Sequence, residues 1–398
     1  MRWTAAAVIL LVAIAVAAGV TVNAQERAFR HASARAADDF DLLIGAPGGQ
    51  AQLVLTSVYL RPEALPLMDG GVLKALGGDL RVAAAAPLAF GDIVQGYPVI
   101  GTTAVFVTRF GRLTPADGRV FARQDEAVIG ADVRLGMGDR VTPSHGVQGA
   151  ESKPGEEGPS ERAHRHDGVA YTVVGRLPRL SSPWDRAILV PVESVWETHG
   201  LGDGHAAPGA AIGPPFDAAK VPPVPAIVVK PRAVADAYAL RAAYRQGVTM
   251  ALFPAEVLVS VYQTLGDARD ILLIVSVVNT ILVALTVVLL LITLTGSRRR
   301  RYALLRALGA PRHYVLTVVW LNGAIPLVAG AVLGLGLGWV GANAAGQWLA
   351  GNTGLRMAAT LGWDDAGLVA GLALLGSVLA VVPALFAWRV PPAEGLRD

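Results

Sequence analysis

The residue types that could do chemistry in this chain are few, and none falls into a catalytic spacing. Gly45-Ala46-Pro47-Gly48-Gly49-Gln50 follows a strand-like run, a position where backbone N–H groups can cradle phosphate. It lacks the Lys and the Ser/Thr of a nucleotide-binding loop, and no Walker A pattern occurs anywhere in the sequence. The chain is therefore not expected to hydrolyse ATP by itself. His164 and His166, with His145, His199 and His205 elsewhere, offer imidazoles to a soft metal. Cysteine is absent, however, and no carboxylate spacing completes a ligand set, so an H-x-H in a polar stretch reads as a solvated loop. No Ser-His-Asp arrangement can be assigned from spacing. No catalytic, cofactor-binding or metal site is expected.

The informative residues lie in Arg298 to His313, RRRRYALLRALGAPRH, where six arginines and a compact amphipathic turn separate two long apolar spans. Arginines in a short loop between spans mark the cytoplasmic side of a membrane. Composition agrees: 53% of the 398 residues are hydrophobic, 16% are charged, and the mean hydropathy is +0.48. These values exclude an ordinary soluble enzyme. Four runs are long enough to span hydrocarbon: Trp3 to Val22, Ile271 to Thr295, Tyr314 to about Ala345, and Ala366 to Trp388. Arg2, Arg389 and Arg397 fall on the same side as the arginine loop, whereas the loop near 346 to 365 carries Asp364 and Asp365 against Arg356. The sequence pI near 9.3 is then a topology signal and not a sign of nucleic-acid binding.

Two readings of the first span stay open. Met1-Arg2 before an apolar run and the small-residue pattern Val22-Asn23-Ala24 fit a secretory signal cleaved after Ala24. Twenty membrane-compatible residues followed by the helix-favouring stretch Glu26 to Ala37 fit a retained span that continues outward as a stalk. A retained span places both termini in the cytoplasm. The expected architecture is a polytopic α-helical membrane protein with four transmembrane helices and a large α+β extracytoplasmic domain between the first and second. Its segments are a first transmembrane helix over 1–24, the extracytoplasmic domain with stalks over 25–269, a second helix over 270–296 and a cytoplasmic coupling segment over 297–313. A third helix follows over 314–345, then a short extracytoplasmic loop over 346–365, a fourth helix over 366–389 and a cytoplasmic tail over 390–398.

Within the external domain, period-two patterns and turn residues predict strands at Phe40 to Ile44, Val82 to Phe90, Tyr97 to Phe106, Tyr171 to Arg176, Ala187 to Pro191 and Ala226 to Lys230. A Gly-Asp turn is expected between the second and third of these. Ala51 to Tyr59 has helix or strand character, and Glu126 to Leu135 combines a short strand or helix with a turn at Gly136 to Asp139. Helices are expected over Glu63 to Gly77, Ala233 to Gln246 and the amphipathic Pro254 to Leu265, and exposed excursions over 142 to 168 and 200 to 220. With no disulfide available, packing alone must hold this domain together.

In the third span, Gly330, Gly334 and Gly338 recur every four residues on one helix face, which permits close backbone approach of another helix. Gly336 lies off that stripe, so general glycine enrichment of membrane helices is the competing reading. Asn322 adds a polar handle, and Pro326 breaks the hydrogen-bond ladder and favours packing or a bend. No charge sits inside any span, which disfavours an ion relay.

The segment Arg301-Tyr302-Ala303-Leu304-Leu305-Arg306-Ala307-Leu308-Gly309-Ala310 resembles the signature of the FtsX-like, or MacB/LolC/LolE-type, ABC transporter permeases, four-span subgroup. One span, an external head, three more spans and the ending Pro392-Ala393-Glu394-Gly395-Leu396-Arg397 fit that layout, although Arg301 stands where members usually carry an acidic residue. The resemblance implies a dimeric permease in the bacterial inner membrane with a periplasmic head, not catalytic alone and driven by a separate cytoplasmic ATPase. ATP and Mg2+ are then expected on that partner and no cofactor on this chain. It further implies that Arg301, Tyr302, Leu304, Leu305, Arg306, Leu308 and Gly309 form the ATPase-coupling turn. Tyr302, Leu304, Leu305 and Leu308 can supply an apolar docking surface while the arginines meet acidic residues or phosphate headgroups. The expected task is export or extraction of a hydrophobic, lipid-linked or lipoprotein substrate. The alternative is a mechanotransmission or signalling subunit that regulates an envelope protein such as a cell-wall hydrolase. Partners by resemblance are the ATPase, a second permease copy, membrane lipids and a periplasmic adaptor, lipoprotein or hydrolase, with no nucleic acid. An intrinsic membrane enzyme would need a convergent polar site in the head, which the sequence does not display.

Overall fold

The computed structural model describes residues 2–145, 168–207, 212–263, 304–381 and 384–385, together with single helical positions at 278, 281, 285, 289 and 292. It divides into two units: Met1–His31 with Thr264–Ala350 and Met357–Asp398, and Ala32–Gln263 with Gly351–Arg356. The first helix, α1 (Arg2–Ala37), is a single element of 36 residues that passes through Ala24 without a break. Every fourth residue along it is buried: Val8, Val12, Val16, Val20, Ala24, Ala28, Ala32 and Ala36.

The second unit is built on a mixed sheet. Its elements in chain order are β1 (Leu42–Gly45), α2 (Gln50–Tyr59), α3 (Gly71–Gly78), β2 (Val82–Val94), β3 (Tyr97–Thr102) and α4 (Ala104–Val107). There follow β4 (Asp117–Gly118), β5 (Glu126–Ile129), β6 (Arg140–Val141), β7 (Ser144–His145) and β8 (Tyr171–Arg176). The last are β9 (Ile188–Pro191), α5 (Val192–Thr198), β10 (Ala226–Pro231), α6 (Val234–Tyr244) and β11 (Met250–Leu252), and a helical segment runs on over 254–263. The strand order is β11-β1-β10-β2-β3-β9-β5-β8-β4, with β6 on β8 and β7 on β2. The pairs β3/β9 and β5/β8 are parallel and the others antiparallel. The strands β1, β5 and β9 are buried at every position, and β1 and β9 accordingly read as short continuous apolar runs. Their side chains join Tyr171, Trp196, Phe216 and Leu240 in one core.

Several expected elements are corrected. The helix expected from Glu63 to Gly77 starts only at Gly71, because Pro62 and Pro66 withhold N–H donors and hold their preceding residues extended. Met68 instead bridges Val224 through paired backbone bonds of 2.9 and 3.0 Å. The turn expected at Gly91-Asp92 is a register irregularity inside β2, with Gly91 at φ 137°; the chain reverses at Gln95-Gly96, whose φ values of 50° and 80° suit a tight hairpin turn of the mirror-image type. The strand expected to Phe106 ends at Thr102, just before α4, and the short strand or helix expected within Glu126 to Leu135 is the strand Glu126–Ile129. Of the excursion expected over 142–168, Ser144–His145 forms β7, and 146–167 lies outside the described residues. The stretch 200–220 is not simply exposed, for His205 and Phe216 are buried in it.

A buried carboxylate holds the β4–β5 connection. Glu126 Oε1 and Oε2 accept from Arg119 Nη2 and Nη1 at 2.5 and 2.7 Å, and Oε2 also accepts the Ala122 N–H at 2.8 Å. The Arg119 hydrogen bond dominates and holds the Glu126 carboxyl down at about 2. A depressed carboxyl contributes stability above its unfolded value and loses it as pH falls toward the folded one. Glu126→Gln should therefore lower stability by about 1–2 kcal/mol at neutral pH, with solvent screening of exposed Arg119 allowed for, and flatten the loss between about pH 4.5 and pH 2. Urea titrations of both proteins across that range measure it; parallel curves would refute the assignment.

In the first unit, α7 (Arg312–Thr353) runs unbroken through Pro326 for 42 residues, and α8 (Trp363–Leu379) follows. The helix α7 is thus longer than the run of 314–345 expected for the third span, 354–362 separates it from α8, and α8 begins before Ala366. Among the described residues, Ala5–Ala37 and His313–Gly351 are long and apolar enough to cross a membrane. Of the second expected span, the described residues are the helical positions 278, 281, 285, 289 and 292, and the 390–398 tail lies outside the described residues, as does most of the fourth span beyond 381. Arg27 pairs with Asp365 and donates to the Thr360 carbonyl at 3.2 Å, while Asp365 Oδ2 accepts the Gly362 N–H at 2.9 Å. A carboxylate in the first turn of α8 satisfies an N–H there and complements the helix dipole.

Candidate functional site

The coupling turn is described from Leu304 onward; Arg301 and Tyr302 lie outside the described residues. One helical turn over 304–307 closes with Leu308 N–H to Leu304 O at 3.0 Å. Gly309 takes φ 98°, its N–H reaches Arg306 O at 3.1 Å, and Ala310 N–H reaches Leu305 O at 3.0 Å. This pair of bonds around a left-handed glycine is a Schellman cap, and Pro311 follows as a second stop. Gly309 therefore ends the turn by backbone geometry that a residue with Cβ adopts only at a cost. The cap leaves Leu304, Leu305 and Leu308 exposed by 48, 37 and 80%. Three exposed leucines on so short a turn form a small apolar face, with Arg306 between them in sequence.

The glycine stripe has a definite counterpart. A Cβ built on Gly330 would lie 2.8 Å from Val12 Cβ and 2.9 Å from Ile9 O; one on Gly334, 2.6 Å from Val16 Cβ and 2.7 Å from Ala13 O; one on Gly338, 2.7 Å from Val20 Cβ and 2.9 Å from Ala17 O. Three glycines of α7 thus meet three valines of α1, each step four residues on both helices. Among the described residues, a Cβ on Gly336 would meet nothing within 4 Å. The register continues through polar contacts: Thr21 Oγ1 donates to Gly338 O at 3.1 Å, and Gln25 Nε2 donates to Ala342 O. Ala24 and Ala342 are fully buried, and a Cβ on Gly346 would lie 2.6 Å from Met357 O. A repeat of four exceeds the 3.6-residue turn, so both stripes wind around their helices and the contact follows them, as in small-residue membrane packing. The α1 half of the contact is spelled by Val8, Val12, Val16, Val20 and Ala24, a spacing hidden from sequence reading inside a uniformly apolar run.

Asn322 lies on an exposed face of α7, its Nδ2 donating to Val318 O at 2.8 Å, and buried Pro326 produces no break in the helix. Trp320 Nε1 donates to Ser377 O at 2.9 Å and Trp339 Nε1 to Ala359 O at 3.2 Å, so both indoles near the helix contacts are satisfied. Among the described residues no group of His, Asp or Glu is placed to hold a metal ion. Of the histidines considered from sequence, His199 Nδ1 faces Val195 O at 2.7 Å, His205 is buried beside Glu193, and His164 and His166 lie outside the described residues.

Comparison with known proteins gives one family. Residues 273–392 match the FtsX-like permease C-terminal model, a segment that contains the turn and both α7 and α8. No curated protein matches the chain. Solved structures that align with it include the periplasmic region of MacB from Actinobacillus actinomycetemcomitans, at 9% identity and TM-score 0.32 over 56% of this chain and 94% of that one, and the extracellular domain of the noncanonic ABC-type transporter YknZ from Gram-positive bacteria, at 11% identity and TM-score 0.30 over 53% of this chain and 98% of that one. Residues 273–392, which carry the basic turn and the long glycine-striped helix, are thus similar to the C-terminal region of the FtsX-like permeases.

Proposed function

We propose that the chain is the permease subunit of an ABC transporter, converting ATP hydrolysis by a separate cytoplasmic ATPase into movement of its external domain. The observation that carries this reading is the capped turn at 304–310, with three exposed leucines, inside a segment that matches the FtsX-like permeases. Exposed leucines on a rigid, basic, glycine-terminated turn are suited to a groove on a protein partner, since each leucine withdrawn from water contributes about 1.5–3 kcal/mol. The substrate class favoured is hydrophobic, lipid-linked or lipoprotein. In this reading the permease acts as a homodimer in a bacterial inner membrane, with the sheet domain in the periplasm. ATP and Mg2+ belong to the partner.

The test is affinity purification of the detergent-solubilised chain from its native host with identification of what accompanies it. A copurifying Walker-motif ATPase supports the reading; its repeated absence, under conditions that preserve other membrane complexes, overturns it. An adjacent adaptor would point to efflux, and a bound hydrolase to mechanotransmission without transport. Leu305→Asp with Leu308→Asp should weaken ATPase capture at least about tenfold, through lost apolar burial, while membrane insertion is unchanged. Wild-type capture and activity of that variant would remove the turn from the docking surface.

A further inference from the structure

Residues 351–356, the end of α7 and the start of its connection to α8, belong to the sheet-bearing unit, whereas most of those two helices belong to the other. What holds them there is one short 3-10 turn, Pro183–Arg186, between β8 and β9. Arg186 Nη1 donates to the Gly351 carbonyl. Gly354 takes φ 74°, and a Cβ built on it would lie 3.0 Å from Pro183 Cα. Arg356 Nη2 meets Asp132 Oδ1 at 3.1 Å, the oxygen that Arg179 Nη2 also meets at 3.0 Å, and the Asp132 N–H donates to Asp185 O at 2.7 Å.

The same turn holds the end of α1 through its remaining residue. Trp184 is 1% exposed, with its ring centroid 5.9 Å from that of Phe40 and 5.1 Å from that of Phe106. Arg109 lies over the indole and pairs with Asp39, so Trp184 meets both residues of the Asp39-Phe40 pair that follows α1, one directly and one through the guanidinium. Trp184 Nε1 donates to Val58 O at 3.1 Å, and the neighbouring Tyr59 hydroxyl donates to Ser33 O at 2.8 Å. The last turn of α2 thereby ties the indole back to α1.

The turn has little freedom of its own. The fully buried Asp185 carboxylate accepts the Leu180 N–H at 2.7 Å and the Ser181 N–H at 2.8 Å, with Ser181 held at φ 56°. Behind it a Cβ on Gly130 would lie 2.4 Å from Trp184 O and 2.5 Å from Asp185 O, and the Gly130 N–H donates to Ala187 O at 2.9 Å. A segment packed this closely shifts as a body and passes strain to whatever it touches.

We propose that Pro183–Arg186 is a coupling joint that fixes the start of the α7–α8 connection to the exit of α1, so that loosening either attachment loosens the other. Pro183, Arg186 and Asp132 hold one side, and Trp184 holds the other. The joint is a property of this chain alone and does not depend on an ATPase partner. Within the permease reading it gives the external domain two attachments, α1 and the α7–α8 connection, that answer to one turn. Such coupling is reciprocal, and it is demonstrated only by perturbing each side and reading the other.

Hydrogen exchange of the full chain in detergent, read by mass spectrometry, tests the joint in both directions. Gly354→Val forces a branched side chain into a left-handed conformation against Pro183, and should lower protection of 183–187 and 33–41 about threefold along with that of 351–356. Phe40→Ala, from the opposite side, should lower protection of 183–187 and 351–356 by a similar factor. Protection of β10 should stay unchanged in both. Arg356→Ala, which removes one half-exposed ion pair, replaces Gly354→Val if that protein fails to fold. Faster exchange of 351–356 with 33–41 unchanged would show two separate attachments and overturn the proposal. So would unchanged exchange of 351–356 in the loop variants, or a loss of protection shared evenly with β10, which marks general destabilisation. None of these readouts involves an ATPase, so the joint can stand where ATPase capture fails and fall where it succeeds.

Discussion

Gly334→Leu is expected to cost about 3 kcal/mol and several degrees of Tm in detergent, whereas Gly336→Leu, two residues along the same helix, is expected to change neither. The difference follows from what each position meets. At Gly334 the first added carbon already lies 2.6 Å from Val16 Cβ and 2.7 Å from Ala13 O. Neither atom moves with a side-chain rotamer, so the backbones of α1 and α7 must separate, and separation undoes the Gly330 and Gly338 contacts as well. At Gly336 the first added carbon meets nothing within 4 Å among the described residues. Overpacking by a whole leucine at a backbone contact falls at the upper end of the usual cost, and loss of close dispersion contact along the stripe adds to it. Thermal unfolding of the two variants side by side separates a packed stripe from general glycine enrichment. Equal melting points would show that the stripe is not a packed interface.

Asp39→Ala is expected to cost about 3 kcal/mol, and Asp39→Asn combined with Arg109→Met to recover most of it. Arg109 is fully buried, its Nε donating to Asp39 Oδ2 at 3.1 Å and its Nη1 to Phe106 O at 2.8 Å, while Arg112 Nη2 donates to Asp39 Oδ1 at 2.8 Å. The guanidinium lies 4.1 Å from the centroid of Phe106 and 4.7 Å from that of Trp184, inside a cluster completed by Phe40. Burial is the leading influence and pulls the Arg109 group down to about 10, so the cation persists at neutral pH and still needs its anion. Deleting the anion leaves a buried charge whose Nη2 has no partner among the described residues. Replacing both ends removes the uncompensated charge. Recovery should fall short by about 1 kcal/mol for the lost stacking on the two rings. Urea midpoints for the single and double variants give the coupling; a double variant no better than Asp39→Ala would show that Arg109 contributes mainly by shape.

The cost at Asp39 also shows why this site escaped sequence reading. Asp39 and Arg109 are 70 positions apart, and nothing in the composition around Arg109 distinguishes it from Arg112, which is nearly half exposed. Burial depends on which surfaces the fold closes around a residue. For the same reason His205 and Phe216 read as part of a polar excursion, although the core of α5 draws them in. Helix boundaries failed more simply at Glu63 to Gly70, where two prolines outweighed a favourable apolar spacing.

Local rules carried the rest. The apolar runs, the arginine turn and its Gly309-Ala310-Pro311 stop, the alternating strands and the four-residue glycine spacing all depend on neighbours within a few positions, and those interactions are written directly in residue order. By itself the sequence determined a membrane protein with a mixed external domain and the family signature of its basic turn. Tertiary structure alone decided which residues face the glycine stripe, which arginine loses its water, and that His205 and Phe216 are buried. Each of these is a meeting of distant segments, and its energy comes from desolvation and close contact that no local spacing specifies.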